Sequence, residues 1–187
     1  MSHKCCAPLG PGEESRFKMN SRELKEKHET WIGNQLLNAL KLDGRLIRHG
    51  KDGREPDLIY SVGGTTVGVE VSAAYLGEGA ARVDWDLARG KAQRGILDLY
   101  KGDERMLSSM QRVLDEKCLN TYSGADEVWL CIEARDPLPL VWQMEELIKS
   151  LSLPYHKYQR IYVGFRALPY DGGGFRVFKL PREPETS

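Results

Sequence analysis

Two carboxylates stand in unusual company in the stretch EPDLIYSVGGTTVGVEVS, residues 55–72. Asp57 opens one apolar run and Glu70, thirteen positions later, sits near the end of the next. The Gly63-Gly64 pair between the runs is a hairpin signal, so DLIYSV and TTVGVEVS read as two antiparallel strands. On the second strand Val67, Val69 and Val71 share one face, and Gly68, Glu70 and Ser72 share the other. Hairpin pairing brings Asp57, at the mouth of the first strand, toward Glu70. Two carboxylates in a partly buried place repel and raise each other's pKa, so something positive belongs between them. Oxygen ligands of this kind suit a hard divalent cation, Mg²⁺ or Mn²⁺, which keeps positions for water and for a phosphate oxygen. Such an ion activates water and offsets the charge that builds on a phosphodiester.

Each residue also has a plainer interpretation. Asp57 after a proline is a common turn residue, and Glu70 can lie on a wet strand face. The elements around the pair bear on the choice. Leu24, Trp31, Ile32, Leu36, Leu37 and Leu40 fall at helical spacing after Ser21, a fair N-cap, and predict a long first helix ending near Asp43-Gly44. RLIRH is a short alternating strand before the hairpin. Residues 73–81 are small and contain glycine, which predicts a loop. A helix weakened by Gly90 and Gly95 is expected from about Asp84 to Leu99. A firmer one carries Leu107, Met110, Val113, Leu114, Cys118 and Leu119. EVWLCIEA, residues 127–134, is a nearly continuous apolar run that suits a buried central strand. Residues 137–151 predict another helix, and YQRIYVGFRAL and FRVFKL two further strands around an Asp-Gly-Gly-Gly turn.

The order helix, three strands, helix, strand, then helix and two strands predicts an α/β fold, a mixed sheet flanked by helices. It also resembles the core of the PD-(D/E)XK nuclease superfamily, the restriction-endonuclease-like fold, with an extra C-terminal helix and strands. Pro56-Asp57 is similar to the family's Pro-Asp, and Glu70-Val71-Ser72 to its acidic-x-Lys. The resemblance implies Asp57 and Glu70 as metal ligands, the Val71 carbonyl beside them, and Glu29 of HETWIGNQLLNAL as a further ligand on the first helix. Ser72 departs from the pattern, because the family's lysine, which positions or polarises the attacking water, stands there. In some relatives that lysine looks displaced onto the following helix. Lys117 is the first candidate for it and Lys91 the second, with Gln93 near the latter to orient a water or phosphate. On composition alone Glu29 is most simply a solvated helix position, and Lys117, Lys91 and Gln93 read first as surface residues.

The remaining composition sets limits. The chain has 187 residues, 41% of them hydrophobic, with 27 basic and 27 acidic side chains. One domain over residues 21–180 is expected, between disordered tails at 1–20 and 181–187. Zero net charge supplies no global field for nucleic acid, so contact requires local patches. Arg48, Lys51 and Arg54 flank the Pro-Asp step, and Arg89 and Arg94 follow the Glu70 strand. These are the candidate nucleic-acid contacts, though interleaved acids make a mixed solvated surface an equal reading. No apolar run is long enough to span a bilayer, and MSHKCCAPLG lacks the apolar core of a secretory signal, so no membrane partner is expected. Cys5, Cys6, Cys118 and Cys131 read as free thiols of a reducing cytoplasm rather than as a zinc site. Trp31, Trp85, Trp129 and Trp142 read as packing residues rather than base-stacking platforms.

Three function classes follow. One is a Mg²⁺-dependent nuclease hydrolysing DNA, with RNA as the other substrate and a homodimer possible. A second is a nuclease-like fold without hydrolysis that binds nucleic acid or a protein, which the Ser72 departure favours. The third is an unrelated α/β interaction domain.

Overall fold

The computed structural model describes residues 20–51, 53–76, 86, 102–135, 141–168 and 172–181. Helix α1 spans Ser21–Ala39. Its N-cap is Asn20 rather than Ser21, because Glu23 lies where a capping box needs it. The Asn20 side chain accepts from the Glu23 N–H at 2.9 Å, and Glu23 accepts from the Asn20 N–H at 3.2 Å. The helix stops before Asp43. Lys41 adopts a left-handed φ of 55°, and the Leu42 N–H returns to the Leu37 carbonyl at 2.9 Å.

Strands β1 (Gly44–His49), β2 (Leu58–Val62) and β3 (Thr65–Tyr75) form an antiparallel meander, with Gly63 and Gly64 supplying the positive φ angles of the β2–β3 turn. Helix α2 (Gly102–Lys117) precedes β4 (Glu127–Arg135), and α3 (Val141–Lys149) precedes β5 (Arg160–Arg166). Strands β3, β4 and β5 are parallel, and β6 (Phe175–Lys179) closes the sheet antiparallel to β5. The six strands lie in sequential order. This is a mixed α/β fold with the expected order of elements, and that order is compatible with a restriction-endonuclease-like core. The helix expected over 84–99 lies outside the described residues, apart from Asp86.

The sheet carries a core on each face. Ile32, Leu36 and Leu37 of α1 pack on Leu58, Tyr60, Val67, Val69, Trp129 and Tyr162. On the other side Met106, Met110 and Leu114 of α2, with Met144 and Ile148 of α3, cover Ala74, Leu130, Ile132 and Val163. The continuous apolar run of β4 is thereby explained, since Leu130, Cys131 and Ile132 point alternately into two buried cores. Burial pushes the thiols of Cys118 and Cys131 up to about 11 and about 12, so both are inert free cysteines. Trp129 packs edge-on to Tyr162 and Trp31 edge-on to Phe175, as packing residues do. Trp85 and the Trp142 side chain lie outside the described residues.

One register detail shapes everything at the site. The β2 ladder on β3 runs only from Val62↔Thr65 to Leu58↔Val69, while the β4 ladder continues to Tyr75↔Arg135. Residues 73–75, read from sequence as loop, are therefore strand. They hold strand geometry because β4 supplies the ladder and Ser109 Oγ accepts from the Tyr75 N–H at 3.1 Å. The edge of β3 from Glu70 to Tyr75 extends past the end of β2.

Pro56 is the wedge that ends the β2 ladder. It is buried between two glycines that approach it too closely for any side chain. A Cβ at Gly68 would meet Pro56 Cγ at 2.5 Å, and one at Gly50 would collide with the Pro56 carbonyl. Gly68→Ala is expected to cost about 1–3 kcal/mol, the usual range for overpacking. Urea denaturation measures it, and an unchanged midpoint would mean that Pro56 is not held as a wedge.

Candidate active site

Asp57 leaves Pro56 at the point where β2 begins. Its backbone carbonyl accepts from the Gly50 N–H at 2.9 Å, and its Oδ2 accepts from the Val71 N–H at 3.0 Å. The carboxylate thus replaces the strand that β3 has lost as a partner. A strand residue turns its N–H and its C=O toward the same edge, so the Val71 carbonyl faces the same gap.

Glu70 is nearly buried, with 6% of its side chain exposed, and Lys117 Nζ donates to its Oε1 at 2.8 Å. Lys117 is the last residue of α2, where a cation also suits the helix dipole. Its own carbonyl accepts from the Tyr158 hydroxyl at 3.1 Å, which fixes the helix end from behind. Glu29, also buried, lies one helical turn from Lys25, whose ammonium stands 3.1 Å from Glu29 and 3.6 Å from Asp57. Tyr122, held by Asn120 Nδ2 at 3.2 Å, interacts with Glu70 from the loop after α2.

These groups line a cleft of about 620 Å³ that runs along the open edge of β3 as far as Tyr75 and Arg135. Its electrostatics are those of crowded carboxylates. Burial, then the Asp57 charge, raises Glu29 to about 7 against the pull of Lys25. The same two causes raise Glu70 against the pull of Lys117. Burial pulls the two ammoniums down, but their carboxylate partners outweigh it, and both Lys25 and Lys117 are raised.

The structure therefore brings Asp57, Glu70, Val71, Glu29 and Lys117 to one cleft, with Ser72 beside them. Lys91, Gln93, Arg89 and Arg94 lie outside the described residues. Arg48 is engaged elsewhere. Its guanidinium forks onto Glu55, with Nη2 at 2.9 Å, and this pair lowers Glu55 to about 2. Lys51 and Arg54 are exposed on the loop between β1 and β2.

Sequence reasoning passed over Lys25, Tyr122, His28, Glu133, Tyr75 and Arg135. Lys25 was available from its i,i+4 spacing to Glu29. Glu133 carries the signal that marked Glu70, a carboxylate inside an apolar strand. Its Oε2 accepts from His28 Nε2 at 2.8 Å.

Among the described residues no set of three or more His, Cys, Asp or Glu side chains is gathered tightly enough to hold a metal ion. The donor set nonetheless fits Mg²⁺, which is commonly held by one or two carboxylates and completes its shell with water and substrate phosphate. Asp57, Glu70 and the Val71 carbonyl are oxygen donors of that kind. The ammoniums at 2.8 and 3.1 Å mark where this cluster accepts positive charge.

No protein-family model and no curated protein matches the chain. Among solved structures, SfsA of Pyrococcus furiosus, in complex with Ca²⁺, aligns at 14% identity with a TM-score of 0.31. The alignment covers 86% of this chain and 62% of that one, and a likeness so distant carries no argument about function.

Two measurements test the electrostatics. A raised Glu29 pKa adds stability that is present below the unfolded value of 4.5 and lost as pH rises through about 7. In metal-free protein, Glu29→Gln is thus expected to raise Tm by roughly 2–4 °C at pH 8 and to leave it nearly unchanged at pH 4.5. A lower Tm at pH 8 would show that the Lys25 pairing outweighs burial. Lys117→Met leaves Glu70 buried without its cation and is expected to cost about 2 kcal/mol or more. Adding Glu70→Gln should recover at least half of that loss. Additive losses would mean that the two side chains do not depend on each other.

Proposed function

We propose that the protein is a divalent-metal-dependent phosphodiesterase acting on nucleic acid, with DNA as the first substrate to test. The observation that supports this most is the meeting of Lys117 with Glu70 beside Asp57. A lysine distant in sequence reaches the acidic pair that Ser72 alone would leave without one.

In this reading Asp57 and Glu70 hold Mg²⁺ or Mn²⁺, with the Val71 carbonyl alongside and Glu29 behind. When bound, the ion supplies Lewis acidity at a phosphoryl oxygen and lowers the pKa of a bound water. The chain's own residues do the rest. Asp57, tied to the Val71 N–H, and Glu70, fixed by Lys117, are held before substrate arrives, so little reorganisation is needed at the moment of reaction. Lys117 Nζ stands where an ammonium can orient water or share the charge growing on phosphorus-bound oxygens. Glu29, raised to about 7, is only partly ionised near neutral pH, and a cation bound beside it would favour its charged form.

A second reading is favoured by one observation. Lys25 and Lys117 already compensate the carboxylates, an arrangement that is complete without metal. A nuclease-like protein that binds nucleic acid or a protein without cutting would retain it.

Cleavage of supercoiled plasmid and of single-stranded DNA with Mg²⁺ or Mn²⁺ separates the two. Asp57→Asn, Glu70→Gln and Lys117→Met are each expected to lower the rate by about 10²-fold or more, with the fold intact by circular dichroism. Wild-type protein that cuts neither DNA nor RNA with either ion would remove the catalytic reading.

A further inference from the structure

The far end of the cleft holds a second cluster that the reaction itself does not use. Tyr75 closes β3 and Arg135 closes β4, and the two are register partners. The Arg135 guanidinium carbon lies 5.8 Å from the Tyr75 ring centroid, and its Nη1 donates to the Tyr75 hydroxyl at 3.3 Å. Its Nε stands 3.9 Å from Glu133, which is itself anchored by His28 at 2.8 Å. His28 in turn stacks on Trp31. The guanidinium is thus oriented by neighbours on two sides, an arginine fork ordered in advance at the wall of a polar cleft.

Building on the phosphodiesterase reading above, we infer that Arg135, propped by Tyr75 and Glu133, is a binding subsite for a backbone phosphate of the substrate strand, remote from the phosphate being cut. Three observations support it. Arg135 and Tyr75 line the same cleft as Asp57, Glu70 and Lys117. Tyr75 lies four residues beyond Val71 on one strand, about 13 Å at ordinary strand rise, so the cluster is too far away to touch the reacting phosphorus. That span places it against a phosphate about two nucleotides along the strand, since successive phosphates are separated by more than the axial rise. Finally, a guanidinium fork matches two phosphate oxygens at once, which an ammonium does not.

A structural role, in which Arg135 only ties the ends of β3 and β4 together, makes a different prediction. It lowers Tm on substitution but leaves affinity alone. Fluorescence anisotropy with a labelled 20-nucleotide single strand, in EDTA so that no cleavage occurs, distinguishes the two. Arg135→Gln is expected to weaken binding about 5- to 10-fold at moderate salt. It should also reduce the slope of log affinity against log salt by about 0.7, the loss of one phosphate contact on a single strand. Arg135→Lys should keep the slope and lose part of the affinity. Tyr75→Phe should give a smaller loss, and these two variants carry the test if Arg135→Gln does not fold. A wild-type affinity and salt slope in folded Arg135→Gln would overturn the inference while leaving the phosphodiesterase reading standing. Wild-type protein that binds no strand either in EDTA or with Ca²⁺ in place of Mg²⁺ would overturn the inference too, and the cleavage assay above then decides the phosphodiesterase reading separately.

Discussion

The hydrogen bond from the Val71 N–H to Asp57 Oδ2, at 3.0 Å, is the contact on which the site depends. A sheet edge ordinarily needs a partner strand or water for its backbone groups. Here β2 stops at Leu58↔Val69, turned away by the Pro56 wedge, and a side-chain carboxylate takes over the next N–H of β3. One substitution in kind, carboxylate for strand, leaves an open edge, directs the Val71 carbonyl into it, and fixes Asp57 beside Glu70. The glycines at 50 and 68 are the condition for this, because only they let Pro56 sit deep enough.

Electrostatics then determines what that geometry can do. Carboxylates held out of water resist ionisation, and Glu29 and Glu70 both show it. The strain is met by two lysines from two helices, Lys25 on α1 and Lys117 at the end of α2. On the proposed reading, a divalent cation would relieve repulsion among Glu29, Asp57 and Glu70 and would free the ammoniums to turn toward an anionic ligand. Ser72, with no charge to offer, is consistent with that division of labour.

The fold was legible where hydrophobic period and turn chemistry agreed. The Val-Gly-Val alternation, the Gly63-Gly64 turn and the unbroken apolar run of β4 placed the starts of the central strands, Thr65 and Glu127, where they lie. Asp57 and Glu70 were legible for a different reason, because a charge within an apolar run needs a partner. Lys117 was reachable only through the resemblance to nucleases whose lysine has moved, since nothing local separates it from Asp115 and Glu116. Residues 73–75 misled because Ala73, Ala74 and Tyr75 draw their strand character from β4, sixty positions later, and not from their own sequence. The same long-range pairing hid Arg135, and nothing in the sequence signalled that Glu55 engages Arg48 of the basic cluster near Pro56.

The central claim is that Asp57 and Glu70 together make a divalent-cation site. Mn²⁺ binding followed by isothermal titration calorimetry at pH 7.5, with electron paramagnetic resonance of the bound ion, tests it most directly. The account predicts saturable binding to the wild-type chain with release of protons, and loss of that binding in Asp57→Asn and in Glu70→Gln. Equal Mn²⁺ binding by all three folded proteins, or by none of them, would contradict it.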